Sequence, residues 1–289
     1  RGKELKRLVA VAALSYNKRH DSIWCDSRAS PDGGRHGGGQ SGVRAGQGQR
    51  QSKAASAALA PQPIGFYARG CIAGAVALPI NGPAWQVMRL SRNRNWGHPD
   101  LIALLERVAA KAQKTAGWPG LLVGDMSQPR GGPMLTGHAS HQIGLDADIW
   151  LTPMPNRQLS REEREETSAV MMVRKDRLDI DPATWTPTHL PVIRAAAQEP
   201  QVERIFVNAA IKKALCREAK GDRSWLSKVR PMYGHDYHFH IRMKCPAGSA
   251  NCEAQAPPHE GEGCGAGDLA YWFSDAVLHP KPPVKPPKP

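Results

Sequence analysis

The chain has 289 residues, 40% of them hydrophobic and eight of them tryptophan, so it can bury a sizeable core in one larger domain. Its 39 basic and 26 acidic residues give a net charge of +13, which favours an anionic partner such as nucleic acid, a lipid surface or an acidic cell-wall polymer. No apolar run approaches the roughly eighteen residues that a membrane span needs, so we expect the folded part to be soluble.

The two ends of the chain have the composition of tails. Residues 28–60 contain eight glycines and a single acid, which is too little apolar surface to offset the entropy of ordering the segment. We therefore expect residues 1–61 to be a disordered or mispredicted N-terminal tail, whose opening RGKELKRLVAVAALS is at most a weak targeting signal. Residues 277–289 are predicted to be a basic, proline-rich C-terminal tail.

Between the tails, residues 62–276 are predicted to form the folded domain. Helices are expected where apolar residues recur at helical spacing, at 98–115, 160–173, 186–198 and 209–220. Strands are expected at 120–127, 145–151, 202–208 and 236–243. Since the elements lack a regular βαβ rhythm, the sequence predicts an α+β fold with a largely antiparallel central sheet and flanking helices.

Four of the six cysteines lie in the C-terminal third of the chain. The spacing of CPAGSANC suits a small disulfide loop better than a zinc knuckle, so we pair Cys245 with Cys252 and Cys216 with Cys264. Each bridge would contribute about 2–4 kcal/mol to stability, and such bridges indicate an oxidising compartment. The alternative is a cytosolic protein with free buried thiols.

Five of the eleven histidines occur in two short stretches, GHASHQIGLDADIWL (137–151) and GHDYHFHIRM (234–243). In a strand, His238 and His240 share one face and lie about 7 Å apart. His141 precedes the strand that carries Asp148, so the carboxylate can lie beside its imidazole.

Two histidines and one aspartate form a ligand set that suits zinc. A fourth position left open for water is typical of catalytic rather than structural zinc. A single histidine on a strand is more often an ordinary core or surface residue, and the hypothesis depends on the cluster. The sequence contains no HExxH, GxSxG or GxxxxGK[ST], which excludes the zincin helix, the common serine-hydrolase elbow and the phosphate loop.

The H-x6-D and H-x-H combination resembles the zinc peptidases that include lysostaphin, the D-Ala-D-Ala metallopeptidases and the hedgehog domain. Further stretches, among them GCIAGAVALP, WGHPDLI, RIFVNAAIKKALC, DRSWLSKVRP and CGAGDLAYWF, resemble the penicillin-insensitive murein endopeptidase family from about residue 62 to 276. The resemblance implies a periplasmic zinc endopeptidase with a hedgehog-like fold that cleaves D-alanyl-meso-diaminopimelyl cross-links in peptidoglycan and is insensitive to penicillin.

The resemblance also assigns roles to individual residues. His141, Asp148 and His240 match the zinc ligands of the family, and His138 matches a neighbouring histidine that is also associated with the metal. His238 matches the first member of the H-x-H pair, which implies a general base or transition-state stabiliser, with His235 beside it.

This chain departs from the family at three places, one of which is its first sixty residues, which do not resemble the family's signal peptide. Asp176 matches an aspartate that is tied to a second, peripheral metal, but Asp179 stands where the family has a histidine. A cysteine that the family has near its C-terminus is also absent, so Cys71 is either free or paired with Cys25.

Two other functions are less well supported by the sequence. A non-catalytic zinc-containing wall-binding module would need only the metal ligands, whereas this chain also has His238 and His235. Nucleic acid is a weaker partner than peptidoglycan, because much of the excess charge lies in the tails and no zinc finger or basic helical stripe accompanies it. The sequence does not predict the oligomeric state.

Overall fold

The computed structural model describes residues 55–280, and a seven-stranded sheet lies at its centre. The strands of this part of the chain are β1 (Gln62–Phe66), β2 (Arg69–Ala73), β3 (Val76–Ala77), β4 (Asn81–Gly82), β5 (Trp85–Val87), β6 (Trp96–Gly97), β7 (Leu121–Val123), β8 (Asp146–Pro153), β9 (Val202–Val207), β10 (Val229–Pro231) and β11 (His238–Met243).

The central sheet has the order β10-β9-β11-β8-β7-β5-β4, with β1-β2 and β3-β6 as separate antiparallel pairs. Four of the six neighbouring pairs in the central sheet are antiparallel, and β10-β9 and β5-β7 are parallel. The predicted α+β class with a largely antiparallel sheet is confirmed.

Six α-helices accompany the sheet within the described residues: α1 (Pro99–Ala116), α2 (Arg161–Glu166), α3 (His189–Ala197), α4 (Ala209–Glu218), α5 (Ala266–Ala270) and α6 (Asp275–Leu278). The long helix α1 begins after His98, whose side chain accepts a hydrogen bond from the backbone N–H of Asp100. It ends at Gly117, which has a φ of +68° and can take the left-handed conformation without strain. This helix was predicted within one residue at each end.

Helix α1 and the two middle strands, β8 and β11, build the main core. Leu101, Leu104, Leu105 and Val108 are fully buried, as the helical spacing of residues 98–115 predicts. The core-facing side chains of β8 and β11 pack in the same cluster, and they are Ala147, Ile149, Phe239 and Ile241. Since side chains alternate along a strand, the opposite face of this strand pair is free to carry the polar residues of a site.

The helix predicted over residues 160–173 is shorter in the structure, because α2 ends at Glu166. Beyond it the backbone is held by non-helical partners: the N–H of Met172 donates to the carbonyl of Asp236, and Val173 forms an isolated bridge with Ile180. Met172 and Val173 are buried by these contacts, whereas Val170 and Met171, which a helix would also have carried, are exposed.

The strand predicted over residues 120–127 keeps regular pairing only at β7. The register between β7 and β8 shifts after Leu121, and the backbone of Gly124 and Asp125 still hydrogen-bonds to Asp148 on β8. This irregular continuation turns the side chain of Asp125 toward the polar face of the sheet.

Both predicted disulfides are present. Cys216–Cys264 links α4 to the segment before α5, and Cys245–Cys252 closes the loop that follows β11. Cys71 is buried in β2, and Cys25, the candidate partner for it, lies outside the described residues.

The predicted tails fall largely outside the part of the chain that the structure describes. Residues 1–54 and 281–289 are outside it, so the domain limits of 62–276 stay a prediction. Among residues 55–280, no helix combines the length and the apolar character that a membrane crossing needs.

Candidate metal centre

The two neighbouring strands β8 and β11 carry the polar face of the site. Their antiparallel register sets His240 opposite Asp148 and Arg242 opposite Asp146. Alternation along each strand puts all four side chains on one face, together with His238, as the sequence pattern predicts.

His141 reaches the same face from the loop before β8. Its backbone takes a φ of +66°, and its N–H donates to Oδ2 of Asp146 over 3.1 Å. Gly144 follows at a φ of +71°, where an added Cβ would lie 2.5 Å from the side chain of Ile72. This tight turn requires glycine and returns the imidazole of His141 to the carboxylate of β8.

Asp148 lies at the centre of the histidine cluster. Its Oδ1 is 3.4 Å from Nε2 of His141 and 3.3 Å from Nδ1 of His240. Its Oδ2 is 3.5 Å from Nε2 of His138. One side-chain ligand atom from each of His138, His141 and Asp148 lies within 4.8 Å of the other two, which is close enough to share one metal ion.

Several atoms at this centre are buried without a hydrogen-bond partner. They are both ring nitrogens of His141, Oδ1 of Asp148 and Nδ1 of His238. The close ion-pair distances at Asp148 therefore lack the directions of good hydrogen bonds. An unpartnered buried polar group costs about 1–3 kcal/mol, and a metal ion bound to these atoms would offset that cost. The residues present thus fit a divalent metal that prefers imidazole and carboxylate ligands.

Asp146 is a residue that sequence reasoning left without a role. Its fully buried carboxylate accepts hydrogen bonds from Nε2 of His240 and Nε of Arg242, each at 2.8 Å, besides the N–H of His141. The bond to Asp146 occupies Nε2 of His240 and leaves Nδ1 directed at Asp148. Asp146 lies two residues before Asp148 in the strand predicted over 145–151, so alternation along that strand sets both carboxylates on one face and the sequence contained the signal.

Asp125 is a second residue that the sequence reasoning missed. Its buried Oδ2 contacts Nε2 of His138 at 3.0 Å, Nη1 of Arg92 at 2.9 Å and Nη1 of Arg94 at 2.8 Å. Burial would raise the pKa of Asp125, but the hydrogen bond from His138 and the two guanidinium groups lower it to about 2. Arg94 also donates to the carbonyl of Thr136, which ties the loop of His138 to this carboxylate.

Burial and the shared carboxylates determine the protonation of the cluster. Burial lowers the pKa of His240 to about 3 and that of His238 to about 4, and it also lowers the pKa of His235. Burial acts in the same direction on His141, but Asp148 outweighs it and raises the pKa of His141. Burial would raise the pKa of Asp148, but His238 and His141 hold it well below its usual range.

His235 and His238 adjoin the cluster on the side of β11. The ring centroid of His235 lies 4.8 Å from that of His238 and 5.8 Å from that of His240. His235 has a φ of +54°, and its Nδ1 lies 3.0 Å from the carbonyl of Tyr233. Nε2 of His238 is 3.7 Å from Oδ1 of Asp148, so the H-x-H pair contributes two imidazoles to one cleft.

Asp176 lies in an exposed turn, where its contacts are not with histidine. Its carboxylate pairs with Arg174 at 2.7 Å and accepts the backbone N–H of Leu178. Asp179 pairs with Lys213 and Arg217. Both carboxylates therefore have cationic partners within the protein.

Comparison with known proteins gives consistent matches. The family model described as penicillin-insensitive murein endopeptidase matches residues 63–289. A protein of that name from Haemophilus influenzae is 48% identical over 230 residues, which is 78% of this chain and 79% of the relative. A protein of the same name from Klebsiella pneumoniae is 45% identical, and the match spans 78% of this chain and 81% of the relative. One from Pectobacterium atrosepticum is 44% identical, and the match spans 78% of this chain and 82% of the relative.

Proposed function

The chain belongs to the penicillin-insensitive murein endopeptidase family, and from this premise we propose that it is a zinc enzyme that hydrolyses D-alanyl-meso-diaminopimelyl cross-links of peptidoglycan. Family membership makes the protein a murein endopeptidase. The metal, the cross-link and the roles of individual residues belong to the proposal.

The proposed zinc ligands are His141, Asp148 and His240, with His138 beside them as a further metal-associated residue. The observation that carries this proposal is the group of buried, unpartnered atoms of His141 and Asp148 within reach of His138. Zinc bound there would supply Lewis-acid activation of the scissile carbonyl and of a water molecule.

His238 and His235 are proposed to act in proton transfer. His238 lies on the same strand face as His240 and has a buried Nδ1 without a protein partner. We assign it to take a proton from the attacking water or to donate a hydrogen bond to the developing oxyanion. His235, whose ring lies beside that of His238, is the second candidate for this work.

Asp125 and Asp146 are proposed to position the histidines. Asp146 would hold Nε2 of His240 so that Nδ1 faces the metal, and Asp125 would orient the ring of His138. Asp146 fits the common arrangement, in which a carboxylate that hydrogen-bonds the other ring nitrogen of a ligating histidine fixes its tautomer and raises its basicity. Asp125 differs, because it contacts Nε2 of His138, the nitrogen that also faces Asp148.

We also propose a second metal at Asp176, which rests on the resemblance to the family alone. The salt bridges of Asp176 with Arg174 and of Asp179 with Lys213 and Arg217 would have to rearrange to admit a cation. Metal analysis that finds more than one zinc per chain, with the excess lost in Asp176→Asn, would support this site.

We further propose that the protein is exported to the periplasm and has a hedgehog-like fold. Two disulfides favour an oxidising compartment, and the net charge of +13 suits an anionic wall polymer.

The test is cleavage of purified muropeptide dimers, followed by mass spectrometry. Exhaustive chelation should abolish the formation of monomers, added zinc should restore it, and penicillin should leave it unchanged because no serine nucleophile takes part. Full activity in a preparation shown by metal analysis to be metal-free would contradict the zinc proposal.

A further inference from the structure

Residues on both sides of His235 line a separate cleft, and we infer that this cleft binds the carboxylate next to the scissile amide of the substrate. This inference rests on the proposed function. The cleft opens to solvent. The residues that line it include Arg177, Asn208, Tyr233, Asp236, Trp272 and Leu278.

One wall of the cleft is continuous with the proposed catalytic residues. The side chain of Asn208 donates to the carbonyl of Gly234 at 3.1 Å, and its backbone N–H donates to the carbonyl of His235 at 2.9 Å. The loop fixed in this way lines the cleft with Tyr233 and Gly234 and carries the ring of His235 against His238. This loop therefore connects the cleft to the H-x-H pair through His235.

Arg177 is the cationic group of the cleft. Its backbone has a φ of +59°, its Nη1 donates to the carbonyl of Leu278 at 3.1 Å, and its guanidinium lies 5.6 Å from the centre of the Tyr233 ring. Within the described residues, Nε and Nη2 of Arg177 make no hydrogen bond, so two donors stay available. A guanidinium with free donors is suited to bidentate binding of a carboxylate.

Two further features narrow the ligand to a carboxylate that has a nitrogen beside it. Asn208 caps the N-terminus of α4 and Ala209 opens that helix, so the positive end of a helix dipole faces the cleft. Asp236 is the one acidic residue of the lining. With Arg177 and Asp236 both present, the cleft matches a carboxylate next to an N–H or ammonium group better than a simple anion.

The proposed substrate has this chemistry next to the scissile bond. In a D-alanyl-meso-diaminopimelyl cross-link, the carbon attached to the amide nitrogen also carries a free carboxylate. Hydrolysis breaks the bond between the carbonyl carbon and that nitrogen, adds the hydroxyl of water to the carbonyl carbon and its proton to the nitrogen, and so leaves an amine beside the carboxylate. Arg177 would hold this carboxylate on the leaving-group side, and Asp236 would face the amine.

The first experiment compares two synthetic muropeptide dimers that differ only in whether this group is a carboxylate or a carboxamide. Wild-type protein should prefer the carboxylate dimer by about tenfold to a hundredfold in kcat/KM, as expected for a hydrogen bond between charged groups. Arg177→Gln should lose most of that preference, and Arg177→Lys should keep part of it. The matched control is Arg161→Gln on α2, an exposed arginine, which should keep the full preference.

A second experiment does not depend on cleavage. Calorimetric titration of the full chain with the monomer product should show binding that is weakened about tenfold or more in Arg177→Gln and unchanged in Arg161→Gln. Equal binding by wild-type and Arg177→Gln, or an undiminished carboxylate preference in Arg177→Gln, would overturn the inference. Arg177-dependent binding without cleavage of either dimer would instead count against the proposed hydrolysis and leave the carboxylate site in place.

Discussion

Asp148 is the residue on which the site depends, because its two oxygens face His138, His141 and His240 at distances of 3.3–3.5 Å. His138 and His240 have hydrogen-bond partners in Asp125 and Asp146, whereas both ring nitrogens of His141 and Oδ1 of Asp148 are buried without one. A shared cation would satisfy these groups together, which is the physical reason for proposing them as metal ligands.

The two histidines of β11 are predicted to respond differently to substitution. His240→Ala should lose both zinc and activity, because it removes a proposed ligand. His238→Ala should keep its zinc and lose roughly 10²–10⁴ in turnover, the usual range for a general acid–base group. Metal analysis beside muropeptide kinetics checks this difference. If His238→Ala loses its zinc or keeps full turnover, the roles are wrong and His235 becomes the better candidate.

Asp146 gives a second prediction at this scale. Asp146→Asn keeps the size of the side chain but removes the charged acceptor for Nε2 of His240 and Nε of Arg242. Zinc affinity should fall by about 10–100-fold, with activity partly restored by excess zinc, as is typical when a partner of a ligating histidine is lost. Competition with a chromophoric chelator measures the affinity. The exposed Glu253→Gln is the matched control, and equal affinities for the two variants would exclude the positioning role of Asp146.

At the scale of elements, two disulfides fasten segments that follow the site strand β11. Cys216–Cys264 joins α4 to a segment 48 residues away, whereas Cys245–Cys252 spans only 7 residues. A crosslink that closes a longer loop removes more conformational entropy from the unfolded chain.

The two disulfides should therefore differ in their contribution to stability. By the chain-entropy relation, replacing both Cys216 and Cys264 with serine should lower the free energy of unfolding by about 4 kcal/mol, and replacing both Cys245 and Cys252 by about 2 kcal/mol. Urea unfolding of the two double variants measures the difference. A larger loss for the short loop would show that entropy of the unfolded chain does not dominate here.

For the whole molecule, the buried Lys212 connects three separate parts of the fold. Its Nζ donates to the carbonyls of Leu226 and Glu262 at 2.8 and 2.6 Å, and the side chain is fully buried in α4. Burial, with a contribution from Arg230, lowers the pKa of Lys212 from 10.5 to about 7. The amine thus joins α4 to the Ser224–Lys228 turn and to the C-terminal segment near Cys264.

Lys212 should make global stability depend on pH. Between about pH 7 and 10.5 the unfolded chain holds a proton on this amine that the folded protein has released, so the free energy of unfolding rises with pH. The slope from this group is at most about 1.4 kcal/mol per pH unit, and it vanishes below about pH 7, where both states are protonated. Urea unfolding under non-reducing conditions, repeated from about pH 6 to about pH 9, measures this dependence of the free energy of unfolding on pH.

The comparison for this prediction uses two lysines of the same region. Lys212→Met should lose the rise in stability with pH, whereas Lys220→Met, at an exposed position, should keep it. Parallel curves for wild-type protein and Lys212→Met would show that the amine stays protonated in the fold.

The sequence by itself determined the features that depend on near neighbours in the chain. Helical spacing of leucines located α1, and alternation in LDADIWL and HFH placed Asp148 and His240 on the site faces of their strands. The sequence shows these patterns because side-chain direction repeats every few residues along a regular helix or strand. The two disulfides were also predictable, from cysteine spacing and count.

Only the tertiary structure decided which distant side chains meet. Asp146 acquires its role from the β8–β11 register, and Asp125 reaches His138 because β7 loses regular pairing just before it. Arg177 contacts Leu278 across 101 positions of sequence. Such contacts depend on how sheets and loops pack, and the free energy of packing is a property of the whole fold that no local pattern of residues encodes.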